Sequence, residues 1–362
     1  MVSEFVQRLG QQLLVGGAPY RIVGGNTYYL AYVKESTLDA ALDLTQSFGM
    51  NAIRIWAFLD AAQPPSPDQV CFQYLDSKKN QVVVNDGPNG LERLDRAIAK
   101  AGARDLRLIL TLTNHWKDFG GMPQYVEWFG LAPDHKNLFY TDARCKQAYK
   151  HWVEQIVNRR NTITGRLYRD EPAILAWELA NEPRCEIAGG DEILLAWVDE
   201  MSNFVKQLDA NHLVAVGDEG YFKHSYAGHN PLFNGGYGVS CEALLGVGAI
   251  DLGTAHLYPE AMAKNHDPVT FGTMWIGEHL DAAERANKPM LIEEYGALSP
   301  DRNQIFDVWL KLIEQRGSLG DMLWMSGLPK SQDQPYDPDG YVVENVGEAS
   351  AIREHATRML SK

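Results

Sequence analysis

At its centre the chain reads Ala173-Ile174-Leu175-Ala176-Trp177-Glu178-Leu179-Ala180-Asn181-Glu182-Pro183-Arg184-Cys185. The run Ala173–Trp177 is uninterruptedly apolar, the pattern of a short strand buried on both faces. It closes on an amide and a carboxylate, Asn181 and Glu182, and Pro183 then stops the ladder. Polar groups at the carboxyl end of a buried parallel strand are costly without a partner or a task. In a parallel barrel that end carries the chemistry. A glutamate that merely caps a loop is the alternative for this segment alone.

Outward from this strand, short apolar runs alternate with longer amphipathic stretches. The strand candidates are Tyr20–Thr27, Ala52–Trp56, Leu106–Leu112, Ile174–Asn181, Leu213–Gly217, Ile250–Ala255, Pro289–Glu294 and Asp321–Trp324. Helices are expected at Thr37–Phe48, Gly90–Ala101, Ala143–Asn161, Asp191–Asp209, Thr273–Ala286, Arg302–Gln315 and Ser350–Leu360. This alternation over 362 residues predicts the α/β class and a closed (β/α)8 TIM barrel. An open doubly wound sheet would call for a Gly-rich phosphate turn after the first strand, and none is found there. The long connections Ala57–Pro88, Thr113–Asp142 and Asp218–Ser240 all come after strands, on the side where a barrel builds its cleft. With no linker, repeat or low-complexity tract, residues 1–362 are read as one catalytic domain.

Composition narrows the function classes. Hydrophobic residues make up 45% of the chain, with nine Trp, sixteen Tyr and twelve Phe, enough for one large core. The formal charge of −14 repels phosphate backbones and argues against nucleic acid. No apolar run approaches the roughly 20 residues that span a bilayer, so no membrane partner is expected. Met1-Val2-Ser3-Glu4-Phe5 has neither a basic nor an apolar leader region, which suits a cytoplasmic protein or a leader already removed. Cys71, Cys145, Cys185 and Cys241 form no CxxC or Cys/His cluster, so a structural zinc is not expected; their spacing leaves disulfide pairing open.

A second strand end matches the first. Lys288-Pro289-Met290-Leu291-Ile292-Glu293-Glu294-Tyr295-Gly296 is apolar until it meets two adjacent carboxylates. Successive strand residues face opposite ways, so one of Glu293 and Glu294 is expected at the barrel mouth beside Glu182. Two carboxylates on one cleft floor are the apparatus of glycoside hydrolysis: one protonates the leaving oxygen, the other attacks the anomeric carbon or activates water. Arg54 lies in an apolar strand, where its guanidinium needs an anion. It can hydrogen-bond a carboxylate and keep it ionised. His115, His256 and Tyr258 sit at other strand ends. For each one alone a satisfied core hydrogen bond is the simpler reading; together they favour a site. Of Trp56, Trp116, Trp128, Trp275 and Trp324, two or three are expected to line the cleft, where indole packs on sugar C–H faces.

With these residues in hand, the chain resembles the β-mannanases of glycoside hydrolase family 5, in the clan of retaining (β/α)8 glycosidases. The resemblance rests on Gly25-Asn26-Thr27-Tyr28-Tyr29, Arg54-Ile55-Trp56-Ala57-Phe58, Asn114–Gly121, Pro123–Trp128, Trp177–Cys185, Asp209–Val214, His256-Leu257-Tyr258-Pro259 and Glu293-Glu294-Tyr295-Gly296. Asn-Glu-Pro alone would indicate only the clan; the string through Arg184 and Cys185 points to the mannanase branch. The resemblance implies Glu182 as acid/base and Glu294 as nucleophile. It also implies Asn181 at the sugar 2-hydroxyl, Arg54 holding the nucleophile ionised, and His256 and Tyr258 completing the polar network. Trp324 becomes the floor under the −1 sugar, and Trp116 and Arg184 line the aglycone side. His115 departs from the family, which commonly has a second Asn there. The activity implied is that of an endo-β-1,4-mannanase on mannan, glucomannan or galactomannan, in an extracellular and monomeric protein. No metal or organic cofactor is implied. Glu182 is expected to start protonated, its pKa raised by ionised Glu294. An exo-acting β-mannosidase or mannobiohydrolase, a β-glucan-specific relative and a non-catalytic carbohydrate-binding barrel are the alternatives.

Overall fold

The computed structural model describes residues 2–225, 228–264, 266–329 and 339–361. Its frame is an eight-stranded, all-parallel sheet. The strands are β1 (Ile22–Asn26), β2 (Ala52–Trp56), β3 (Arg107–Thr111), β4 (Ile174–Glu178), β5 (Leu213–Ala215), β6 (Gly253–Leu257), β7 (Met290–Tyr295) and β8 (Gly320–Leu323). They pair in the order β5-β4-β3-β2-β1-β8-β7-β6. Backbone bonds from Asp251 N to Val214 O (2.8 Å) and from His256 N to Glu219 O (3.1 Å) draw the two remaining edges together. The fold is the TIM barrel.

Boundaries shift where local chemistry intervenes. The helix expected from Thr273 begins at Pro268, because Asp267 caps it by accepting Thr270 N–H at 2.8 Å and proline suits the first turn. The sixth strand begins at Gly253 rather than Ile250, whose N–H is spent in a turn to Val247 O. Strand β4 ends its ladder at Glu178, yet Leu179, Ala180, Asn181 and Glu182 keep donating, in turn, to Ala215, Val216, Thr113 and Gly217. The chain is therefore held rigidly as far as Glu182. The four cysteines are free and buried.

Alternation sorts side chains into layers. On β2, Ile53 and Ile55 pack outward against helices, while Ala52, Arg54 and Trp56 form the other series. The lowest inward layer is apolar, with Ala52, Ile109, Ala176, Ala215, Leu291 and Met322. Val6 and Leu13 of the N-terminal segment join this cluster. They come with a three-stranded antiparallel sheet (Gln7–Leu9, Gln12–Val15, Ala18–Tyr20) that plugs the bottom of the barrel. The next layer up is charged, with Arg54 and Glu178 both 0% exposed.

The last helix, Ser350–Leu360, is held by buried charges. His355 gives Nε2 to Asp321 Oδ2 on β8 (2.7 Å) and Nδ1 to Glu314 Oε1 (2.8 Å). Burial works against its protonation, but the charges and hydrogen bonds of Asp321 and Glu314 win and raise its pKa above 6.5. A raised folded-state pKa stabilises fully below the unfolded value and is lost as pH rises through the folded one. The melting temperature should therefore fall on going from pH 6 towards the alkaline side, and this slope should flatten in His355→Gln. Truncation to His355→Ala, leaving Asp321 buried and unpaired, should cost about 3–5 kcal/mol in chemical denaturation.

Candidate active site

Two irregularities of the backbone build the floor. Glu182 has φ +48°, a left-handed conformation uncommon for a residue with a side chain, and it is fixed by its N–H bond to Gly217 O at 2.8 Å. Gly217 itself has φ +86°, and a Cβ there would lie 2.2 Å from Ala180 O and 2.6 Å from Glu178 Oε1, so only glycine fits. On β7 the register passes from Ala255↔Ile292 to His256↔Glu294, leaving Glu293 as the extra residue of a bulge. Simple alternation puts Glu293 and Glu294 on opposite faces; the bulge turns both towards Arg54. Only Glu294 lines the cleft, and Glu293 lies beneath it, 0% exposed.

Arg54 joins the carboxylates. Its Nε and Nη2 donate to Glu178 at 2.8 and 2.7 Å, Nη2 also to Asn181 Oδ1 at 2.8 Å, and Nη1 to Asn26 Oδ1 at 3.1 Å and to Glu294. Glu293 Oε2 stands 3.6 Å from Nε. Arg54 thus does meet Glu294, as expected, but its bidentate partner is Glu178, a residue that attention to strand ends passes over. Its signal is in the sequence, an acid closing an apolar run on the strand that leads to Glu182. The Asn181 amide is fixed at both ends, accepting from Arg54 and donating to Asn114 Oδ1 at 3.0 Å.

Above this layer, Glu182 and Glu294 face each other across His256. Trp116 Nε1 donates to Glu182 Oε2 at 2.5 Å, and His256 Nδ1 lies 2.8 Å from Glu182 Oε1 and 3.4 Å from Glu294 Oε2. Tyr258 donates its hydroxyl to Glu294 Oε2 at 2.5 Å. One atom each of Glu182, His256 and Glu294 lies within 4.8 Å of the others, near enough to hold a cation. Yet both carboxylates are already engaged by protein donors, so the group is arranged to pass protons rather than to cage an ion.

The charges differ from expectation in one respect. Burial pushes the Glu182 carboxyl up, but the hydrogen bond and charge of His256, with Trp116 and Arg184, outweigh it and hold the pKa down at about 2. Burial opposes protonation of His256 too, and Glu294 and Glu182 overcome it, raising its pKa well above the ordinary value. Burial raises Glu294, against His256 and Arg54. These directions favour the proton on His256 over Glu182.

The cleft is a cavity of about 490 Å³ lined by Glu182, Glu294, Asn181 and Tyr258 at its floor and by aromatic rings around them. Trp324 stacks on Tyr28 at 5.7 Å and 10°, and Trp56 leans on both. Trp56, Trp116 and Trp324 line the cleft; Trp275 and Trp128 do not. Trp275 sits on the helix behind β6, wholly buried, with Nε1 on His256 O at 2.9 Å; it packs the barrel wall and is corrected to a core residue. Trp128 is buried in the helix Gly121–Trp128 and bonds Ala61 O. His115 is also buried, accepting Arg184 N–H at 3.4 Å, and burial drives its pKa down to about 3, so it is neutral. Arg184 is set back from the floor, paired with Glu219 at 2.6 Å and sandwiched between Trp116 (5.0 Å) and Tyr237 (4.6 Å). Glu219 follows the fifth strand and is readable as a strand-end acid, whereas Asp118 and Asp339 lie in loops with no such signal; Asp339 accepts Trp324 Nε1 at 3.0 Å.

Arg54→Lys should be as damaging as truncation, because an ammonium cannot span Glu178, Asn26, Asn181 and Glu294 at once. Loss of nearly all turnover and a melting temperature well below the parent are the expected outcomes in activity and thermal-shift assays.

Comparison with known proteins agrees with this geometry. Residues 3–314 match a family model described as GH family 5 beta-mannosidase-like. Mannan endo-1,4-beta-mannosidase A of Podospora anserina is 35% identical over 338 residues, covering 92% of this chain and 85% of that one. The endo-1,4-beta-mannanase of Rhizomucor miehei superposes with a TM-score of 0.91 at 36% identity, covering 99% and 100% of the two chains. The endo-1,4-beta-D-mannanase of Thermotoga petrophila gives 0.82 at 38% identity, covering 94% and 100%. Sequence, barrel and family model converge: this chain belongs to the β-mannosidase-like group of glycoside hydrolase family 5.

Proposed function

We propose that this enzyme cleaves internal β-1,4-mannosidic bonds of mannan, glucomannan or galactomannan with retention of configuration, as an extracellular hydrolase. The observation that carries the reading is the approach of Glu182 and Glu294, whose facing oxygens lie within 4.8 Å of one another. Retaining enzymes hold their carboxyl groups about 5–5.5 Å apart, whereas inverting ones need about 6.5–9.5 Å to admit a water. Glu294, bonded by Arg54 and Tyr258, attacks the anomeric carbon. Glu182, having taken the Nδ1 proton of His256 along their 2.8 Å contact, gives it to the leaving O4. Water then enters, loses its proton to Glu182 and releases the sugar from Glu294. Asn181, immobilised from both sides, meets the 2-hydroxyl, and Trp324 with Tyr28 and Trp56 supplies the apolar platform under the ring.

Two observations favour internal cleavage. The loops Ala57–Pro88 and Asp218–Ser240 contribute no described residue to the cleft lining around the two carboxylates, so neither closes it at that point. The relatives at 36% and 38% identity are named as endo-acting.

Glu294→Ala should lose about 10⁴-fold or more in kcat. Azide should restore turnover and yield a glycosyl azide of inverted configuration, seen by proton NMR. A rescued product of retained configuration, or none, would sink the nucleophile assignment. On mannohexaose, mixed internal cuts are expected, with little release from cello-oligosaccharides run alongside; mannose or mannobiose alone from one end would replace the endo reading with an exo one.

A further inference from the structure

Double displacement by Glu182 and Glu294 leaves two buried acids without a task. Glu178 and Glu293 are 0% exposed and neither lines the cleft. The bulge on β7 turns Glu293 inward, where its carboxylate meets protein cations only at long range. It faces His256 Nε2 at 3.5 Å and Arg54 Nε at 3.6 Å. Glu178 lies within hydrogen-bonding reach of Glu293. A carboxylate met only at 3.5 and 3.6 Å in such a place keeps its charge at a high cost.

A charge count gives the explanation. Glu178 on β4, Glu182 beyond it, and Glu293 and Glu294 on β7 face two cations, Arg54 from β2 and protonated His256 from β6. The groups hydrogen-bonded to them are neutral: Asn26 and Asn181 on Arg54, Thr111 on Glu178, Trp116 on Glu182 and Tyr258 on Glu294. Asp218, a further buried acid beyond β5, also acts on His256, its carboxyl pushed up to about 6 by burial. Tyr149 faces Glu178 from the helix behind β4 and is kept neutral by burial. Arg184 acts on Glu182 but is already matched by Glu219. Four full negative charges against two positive ones is not a state that a dry cluster tolerates.

We propose that Glu178 keeps a proton and turns it towards Glu293 as a buried acid pair, and that Glu293 is a positioning residue that orients His256 from behind and sets the charge it offers to Glu182. The inference rests on the proposed acid/base role of Glu182. When the Nδ1–H bond of His256 breaks and the proton joins Glu182 Oε1, the imidazole stays neutral with its remaining proton on Nε2, donated towards Glu293. That bond fixes the tautomer and steadies the ring. When Glu182 returns the proton, Glu293 faces an imidazolium again. Burial, helped by Glu293 and opposed by Arg54, lifts the Glu178 pKa to about 8, in keeping with a proton held there at neutral pH.

The test is carbon-13 NMR of the whole enzyme labelled at its glutamate carboxyl carbons, combined with pH–rate profiles. A resonance at the protonated position should persist at neutral pH in the parent, Glu182→Gln and Glu294→Gln, and vanish in Glu178→Gln and Glu293→Gln. Glu293→Gln should also move the alkaline limb of kcat/KM to lower pH by about one unit or more, with KM for mannohexaose changed by no more than about twofold. If Glu178→Gln fails to fold, the parent spectrum and Glu293→Gln suffice. A neutral-pH spectrum with no such resonance, its survival in Glu293→Gln, or an unmoved alkaline limb would each overturn the proposal. Failure of azide rescue in Glu294→Ala, with the resonance behaving as stated, would instead fault the catalytic assignment and leave the acid pair standing.

Discussion

The guanidinium of Arg54 is the constraint on which the site depends. It ties β2 to β1, β4 and β7 by bonding Asn26, Glu178, Asn181 and Glu294 from one rigid planar fork. Replacing any one partner leaves charge or a donor without a match in a place water does not reach. The cluster is therefore better understood as an organiser than as a source of stability: buried ion pairs seldom outdo well-packed apolar side chains in free energy, but removing one member is expensive. With this arginine seated, the charged layer of four strands faces inward with its donors and acceptors matched.

The apolar layer below and the aromatic layer above make the charged layer tolerable. Below, small and branched residues fill the barrel so tightly that no solvent reaches Arg54 from the bottom. Above, Trp56 lies 4.7 Å from the guanidinium and belongs also to the cleft wall, so one ring covers the charge and supports the sugar. Specificity in such a design comes from small polar groups held still, Asn181 above all, and affinity from rings that sugars can lie on.

Much of this is legible in the chain. Ala52–Trp56 and Arg302–Gln315 can be read to the residue because periodicity and turn chemistry agree there. Glu182, Glu294, Arg54, His256 and Tyr258 stand out as polar groups on buried strands or at their ends, and they do converge. The departures have physical causes. Trp275 shares the aromatic character of the cleft residues but sits on a helix, where the inward face means the barrel wall. The inward turn of Glu293 escapes a rule of alternation, which describes regular strands and says nothing of an inserted residue. Its neighbour Glu178 closes the ladder of β4, but the chain stays bonded in barrel fashion as far as Glu182, and it is that later end which draws the eye in the sequence. The charge on Glu182 is the reverse of that expected from Glu294 alone, because His256 lies against it at 2.8 Å.

The N-terminal sheet that closes the bottom of the barrel has a consequence of its own. It touches the apolar layer and none of the residues that line the cleft. The floor of the barrel is consequently sealed by residues that take no part in the cleft lining. A substitution at Val6 or Leu13 acts first on that floor, and reaches Glu182 and Glu294 only through the apolar and charged layers between.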